Sequence, residues 1–360
     1  MANKQYKTEI TLEDGTMATA FAPTIVSASR STDIPAFYAD WFFHRLDVGY
    51  STWRNPFNGV KSHVSYQNTR FIVFWSKNPA PLLPYLDTLE KKGIGCYIQY
   101  TLNEYETERL ETGVPPTAQR IETFKELSRR LGKAAVIWRF DPLVLSDDIT
   151  IDDLVEKIRR IGSQIHEYTE KLVFSFADIM SYKRVRLNLE RNNVPYHEWE
   201  ESQMEEVAER ISGLNTDEGW GLQLATCGEN IDLGRHGITH NRCIDGDLIV
   251  RLAWRDKALM DFMGVTISKG GPVAGDMFDN DAIALTDGHF FYSVHKKDQG
   301  QRKACLCMAA KDIGEYNTCP HMCEYCYANT SKQAALANWK MHNYNRHCPK
   351  FCVNRNRIQL

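Results

Sequence analysis

No apolar run of about eighteen residues, the minimum for a spanning helix, occurs anywhere in the 360-residue chain, so no membrane span is expected. Excess charge of either sign is also missing: 43 Lys and Arg stand against 46 Asp and Glu, a net −3. Nothing global therefore pulls the chain toward nucleic acid or anionic lipid, and a nucleic-acid substrate would need a local basic cleft. The opening stretch MANKQYKTEI has no apolar core of the kind a secretory signal needs, so a cytoplasmic location is expected. Internal repeats and low-complexity tracts are absent. Cysteine is scarce through the front of the chain: before Cys227 the sole example is Cys96, which reads as a small core residue inside a strand.

What is present is an ordinary globular composition, 43% apolar, with enough length for a sizeable core. Short runs rich in β-branched and aromatic residues recur as TIVSAS (24–29), FIVFW (71–75), GCYIQYT (95–101), AAVIWRF (134–140), KLVFSF (171–176) and GLQLATC (221–227). A fainter strand pattern lies at 47–55. Between them fall amphipathic helical stretches, with Gly93, Gly132 and Gly213 where a C-terminal cap glycine belongs. Regular alternation of this kind predicts an α/β fold, a TIM-like (βα) barrel that is incomplete or circularly permuted, over residues 24–230. Residues 1–23 read as an N-terminal extension, 231–304 as an irregular linker or insert, and 305–360 as a cysteine-rich iron–sulfur segment with a closing helix. Gly270-Gly271 follows no strand-to-helix pattern and reads as turn chemistry, not a phosphate cradle.

Each candidate strand ends in polar residues, and in βα barrels those ends open on the active-site face. Solvated loops need polar caps anyway, but Arg, Lys, Asn, Asp and Glu recurring beside Trp at so many strand ends suggests a lined pocket. The candidate catalytic groups are Lys77, Arg139, Asp141 and Glu229, with Arg54 and Asn78 as cofactor or substrate contacts. Trp53, Trp75 and Trp138 could stack on a planar ligand. Arg139 and Asp141 could equally be a rim ion pair, and the tryptophans could simply cap the core.

Nine of the ten cysteines follow from residue 227 onward. In CPHMCEYC, Cys319, Cys323 and Cys326 are separated by three and then two residues. Three thiolates so close on one loop suit a cubane 4Fe–4S cluster with one iron left open. The alternative is a structural zinc completed by His321 or a distant cysteine. Cys227, Cys243, Cys305 and Cys307 form a further soft-ligand set, suited to a second Fe–S cluster or an all-cysteine zinc site, with His236 or His240 able to replace one ligand. Cys348 and Cys352 read as ordinary tail thiols.

With Tyr325 before its last cysteine, CPHMCEYC resembles the C-x3-C-x-aromatic-C motif of the radical S-adenosylmethionine enzymes. That resemblance implies a 4Fe–4S cluster on Cys319, Cys323 and Cys326, S-adenosylmethionine chelated at the open iron, and Tyr325 near the adenine. It also implies an electron donor such as flavodoxin or ferredoxin. From about residue 24 to about 335 the chain is similar, more narrowly, to the bacterial domain of unknown function 1848 family. The carrying segments are SASRSTDIPAFY, FWSKNP, WRFDP, TCGEN, CIDGD and DIGEYNTCPHMCEYCYA. In most radical S-adenosylmethionine enzymes the cysteine loop follows the first barrel strand, so its late position here implies a circular permutation. SASRSTD then falls where the superfamily often has a Gly-Gly-Glu segment, which this chain lacks. Ser29, Arg30, Ser31, Thr32 and Asp33 are the substitutes for binding the methionine end, and Asp33 could instead cap the next helix. The substrate is unknown. A nucleotide or nucleic-acid lesion lyase is one option within this reading, and a zinc-stabilised βα-barrel hydrolase or binding module, worked by Asp141, Glu229 or a His, is the alternative class.

Overall fold

In the computed structural model, which describes residues 6–56, 58–270 and 282–351, all six apolar runs become strands of one parallel sheet. They are β3 (Ile25–Ala28), β6 (Phe71–Ser76), β7 (Gly95–Thr101), β8 (Val136–Leu143), β9 (Lys171–Phe176) and β10 (Gln223–Thr226). Each lies beside its predecessor in chain order. Two short strands extend the row: β11 (Ile238–His240) beyond β10, and β15 (Lys311–Asp312), which returns from the far end of the chain to pair in parallel with β3.

Alternation along the strands gives the sheet two buried faces. One carries Val26, Ile72, Phe74, Ile98, Tyr100, Val136, Trp138, Leu172, Phe174 and Leu224, packed against helices. Those helices are α1 (Ile34–Phe37), α2 (Ala39–Val48), α3 (Leu86–Lys91), α4 (Thr117–Leu131), α5 (Ile151–Ile165) and α7 (Glu201–Asp217). The other face carries Ile25, Phe71, Val73, Tyr97, Ile137, Val173 and Ala225. It is covered by α8 (Gly246–Ala253) and α9 (Lys257–Met263). Crossover helices on one face and strands in sequential order are the winding of a βα barrel. The barrel expected from the sequence is nonetheless not closed: among the described residues β11 and β15 share no pairing, and the eight-stranded sheet stays open.

Three other expectations need correcting. The N-terminal residues are not an extension: β1 (Lys7–Thr11) and β2 (Met17–Phe21) join β4 (Tyr50–Arg54) and β5 (Lys61–Ser65) in a separate sheet of order β1-β2-β5-β4. The strand pattern at 47–55 therefore belongs to this sheet and not to the barrel. The two layers meet at Lys311, whose ammonium lies 3.1 Å from the Trp53 ring centroid and 5.1 Å from that of Phe21. Burial pushes its pKa down to about 8. The described residues of 231–304 also carry regular elements. Besides α8 and α9 they hold a small antiparallel sheet of β12 (Ser268–Lys269), β13 (Ala282–Ala284) and β14 (His289–Tyr292), while Gly271 lies outside the described residues. Finally, α7 runs straight through Gly213, and the left-handed turn falls at Gly219, with φ +65°.

The remaining helices are α6 (Lys183–Arg191) and α10 (Lys332–Tyr344). Ser331 caps α10 by accepting from the Ala334 N–H, and the helix buries Ala335, Asn338 and His342 against the rest of the chain. The His342 ring packs edge-on to Tyr38 at 4.7 Å, and both its nitrogens are buried without a hydrogen-bond partner. Burial pushes its pKa down to about 4. The unfolded chain binds a proton at this residue below its ordinary pKa of about 6.5 and the fold refuses it, so stability present above that pH is lost as the pH falls toward 4. We expect thermal denaturation of the wild type to show a loss of about 2 kcal/mol from this residue between pH 7 and pH 5. His342→Leu should flatten that slope.

Candidate metal centre

The cysteine loop starts where β15 ends, and the turn is built from short polar side chains. The Asp312 carboxylate accepts from Ser27 Oγ, Ser29 Oγ and the Arg30 N–H, each at 2.9 Å. Gly314 then passes so close to the 29–31 loop that a Cβ on it would sit 1.8 Å from Ser29 Oγ. Beyond that point the chain crosses the carboxyl ends of the parallel strands. The Gly113 N–H donates to the His321 carbonyl at 2.8 Å, and the Glu324 N–H donates to the Leu110 carbonyl at 2.9 Å. On the far side Asn188 of α6 donates to the Cys326 and Asn329 carbonyls, both at 3.1 Å.

Under the loop lies a buried polar network. Lys77, at the end of β6, donates to Glu111 Oε1 at 2.6 Å and to the Tyr325 hydroxyl at 3.0 Å. Asn103, just past β7, donates to the same two oxygens at 3.0 and 3.1 Å, and the Tyr325 hydroxyl itself donates to Glu111. Arg120 of α4 brings Nη1 to 3.9 Å from Glu111 Oε2. Burial alone would raise the Glu111 pKa, but Lys77 and Arg120 outweigh it and hold the carboxylate at about 2. A second brace is Asp33. Its oxygens accept from the Ala36 N–H at 2.9 Å, from the Lys77 N–H at 2.7 Å and from His321 Nε2 at 2.7 Å. Asp33 thus caps α1 and fixes the cysteine loop, and its acceptors are occupied. His321, held between Asp33 and the Gly113 carbonyl, is likewise engaged.

Cys319, Cys323 and Cys326 are half-buried, and desolvation raises the pKa of all three thiols. Neighbouring groups act in both directions: the Asp33 and Glu111 carboxylates raise Cys319 and Cys323 further, whereas N–H groups of His321 and Asp33 at Cys319, the Lys77 ammonium at Cys323, and N–H groups of Asn329 and Ala328 at Cys326 favour the thiolates. Those donors and that cation are the groups that could hold the three sulfurs as metal-bound thiolates. A cavity of about 170 Å³ opens on Cys323 and Cys326, bounded by Asn188, Arg191 and Asn192 of α6 and by Met322.

The second cysteine set is also brought together, on the inner face of the sheet. Cys227 Sγ lies 3.2 Å from Cys243 Sγ, the Ile244 N–H donates to Cys307 Sγ at 3.4 Å, and Cys305 packs against the same cluster. Arg139, only 3% exposed, donates to Cys243 Sγ at 3.2 Å and to Gln99 Oε1 at 3.1 Å while pairing with Asp141. Asp141 also accepts from Ser175, so both its oxygens are engaged. The pair is therefore a fixed brace, and it connects the two cysteine sets because Asn103 also bonds the Asp141 backbone at both its N–H and its carbonyl. Trp75 lies between the Arg30 and Arg139 guanidiniums, 5.2 and 5.5 Å from its ring centroid. Glu229 accepts from the Phe176 N–H at 3.0 Å, and burial pushes its pKa up to about 7.

Other expected site residues lie differently. Arg54 belongs to the antiparallel sheet and donates to the Gly59 carbonyl at 3.3 Å. Trp138 faces the helices, its indole N–H on the Leu102 carbonyl, so it offers no stacking surface at the mouth. The Ser29 hydroxyl is spent on Asp312 and lies 3.2 Å from the Ser31 hydroxyl. Thr32 is buried with its hydroxyl unpartnered. Asn78 is half-buried, its N–H on Ser76 Oγ at 3.0 Å. His236 pairs with Glu205 of α7 at 2.6 Å, and His240 is exposed, so neither joins the cysteines. Cys352 lies outside the described residues. Sequence reading missed Glu111, Asn103 and Arg120. Asn103 ends a recognisable strand, but Glu111 sits in the acidic run NEYETERLE, which looks like a solvated loop.

The family described as domain of unknown function (DUF1848) matches residues 25–328, and the chain belongs to it. The match starts on β3 and ends two residues past Cys326, so both cysteine sets lie within it. No curated protein and no solved structure matches the chain.

Replacing Glu111 with Gln leaves Lys77 and Arg120 buried without their counter-charge. We expect a loss of about 3 kcal/mol in denaturant titrations at pH 7. Tyr325→Phe removes one hydroxyl from the same network and should cost about 1 kcal/mol.

Proposed function

We propose that this member of the DUF1848 family is a radical S-adenosylmethionine enzyme of unassigned substrate, with a 4Fe–4S cluster held by Cys319, Cys323 and Cys326. The observation that carries this reading is the loop itself: three half-buried thiols with N–H donors and the Lys77 ammonium beside them, fixed across the carboxyl ends of parallel strands. When bound there, such a cluster would bind S-adenosylmethionine and supply the electron for its reductive cleavage to a 5′-deoxyadenosyl radical. The pairing of β15 with β3 supports the circular permutation, because it sets the cysteine loop where a first βα unit would stand.

The chain's own residues divide the remaining work. Lys77 neutralises Cys323 while its pairing with Glu111 keeps it in place, so it is a positioning residue more than a proton donor. Tyr325 is anchored at its hydroxyl, which donates to Glu111 and accepts from the Lys77 ammonium at 3.0 Å. Arg30, half-buried over Trp75, is the guanidinium at the mouth best suited to a substrate or cofactor carboxylate. Glu229 takes one N–H on Oε1, which leaves its other oxygen for a polar substrate group. A low-potential electron carrier of the flavodoxin or ferredoxin kind is the expected partner.

Protein purified without oxygen and reconstituted with iron and sulfide should yield 5′-deoxyadenosine from S-adenosylmethionine and dithionite, followed by chromatography. Cys323→Ala should drop the product to background with an unchanged circular dichroism spectrum, and Lys77→Met should weaken iron retention about 10–100-fold. Zinc as the sole bound metal, with no product formed, would instead support the structural-zinc reading.

A further inference from the structure

We infer that Cys227, Cys243, Cys305 and Cys307 form a second metal centre, bound by four thiolates, that joins the two open edges of the parallel sheet. It is independent of what the cysteine loop binds, so either assignment can fail without the other.

Position is the first argument. Cys227 follows β10 directly, and Cys243 comes three residues after β11, the strand at one edge. Cys305 and Cys307 lie just before β15, the strand at the opposite edge. The flanking segments already touch: the Met308 N–H donates to the Ile244 carbonyl at 3.0 Å, and the Ile244 N–H points at Cys307 Sγ from 3.4 Å. Backbone ladders do not close this sheet, yet its two ends meet through sulfur.

Charge is the second. Four thiols that merely filled space would want apolar neighbours. These face hydrogen-bond donors. Arg139 Nη1 and Asn241 Nδ2 each lie 3.2 Å from Cys243 Sγ, and the Ile244 N–H is aimed at Cys307. Arg30 stands near both Cys243 and Cys307 and is packed on Trp75. Donors and guanidiniums placed on sulfur stabilise negative sulfur, and several adjacent thiolates are tolerable only when a cation binds them. The ligand chemistry is a soft, thiophilic metal, met either by the iron of an iron–sulfur cluster or by zinc. Four protein ligands leave no open position, so this centre would hold the fold and the Arg139–Asp141 brace in place and would not bind substrate.

The test uses the full chain with Cys319, Cys323 and Cys326 all replaced by Ala, purified without oxygen. Half is treated with iron and sulfide and half with zinc. Metal analysis should find on the order of one zinc or a few irons per chain, and the two arms identify which is taken up. Adding Cys305→Ser at the half-exposed position should abolish that binding and lower the melting temperature. If the triple variant does not fold, comparing wild type with Cys305→Ser should reveal the same missing metal. A folded triple variant that takes up neither metal would overturn the centre. So would a Cys227–Cys243 disulfide found by mass spectrometry in metal-free protein.

Discussion

The buried contact between Lys77 and Glu111 underlies the arrangement of the cysteine loop. Lys77 ends one strand, Glu111 lies in the loop after the next, and the Tyr325 hydroxyl sits on both. Three separate segments thereby meet at one carboxylate oxygen. Burying an ammonium and a carboxylate costs several kcal/mol per ion before pairing. The expense is offset because Asn103 and Tyr325 supply further hydrogen bonds and Arg120 adds a second positive charge. A contact that is poor value for stability alone makes sense where it fixes geometry. Without it the cysteine loop would keep its backbone bonds to Leu110 and Gly113 and the Asp33–His321 brace but lose its side-chain anchor at Tyr325.

A second constraint follows from the open sheet. Strands laid in sequential order with helices on one face tend toward closure, but among the described residues β11 and β15 do not pair. Loops and cysteines occupy the gap instead. Asp312 gathers Ser27, Ser29 and Arg30 at one edge, while Cys227 and Cys243 stand at the other. The Arg139–Asp141 pair and Asn103 run between these regions, so the two cysteine sets are mechanically connected though chemically separate.

Much of this was legible in the residues. Buried parallel strands announce themselves as apolar, β-branched runs, and all six were readable. The cysteines were readable too, because nine of the ten crowd into the chain from residue 227 onward and three of those share one short loop. β15 was not: two residues, Lys and Asp, carry no strand pattern, and only the return of the chain to β3 makes them one. The strands KTEIT and MATAF are half-exposed, so their alternation is weak. Gly213 misled because a glycine at the end of an amphipathic stretch looks like a stop, yet it faces open space and the helix runs on until Trp220 packs onto Gly162 of α5. Ser29 looked free because a sequence displays donors and acceptors without the partners that use them, whereas the cap that Asp33 provides was already legible.

The open coordination position is the claim on which the chemistry turns. Electron paramagnetic resonance of the dithionite-reduced, reconstituted protein, recorded before and after addition of S-adenosylmethionine, reads it directly. A cluster with one iron free of protein ligands should show a changed set of g values when that iron gains its new ligand. An iron–sulfur signal that is present in full and untouched by saturating S-adenosylmethionine would contradict it.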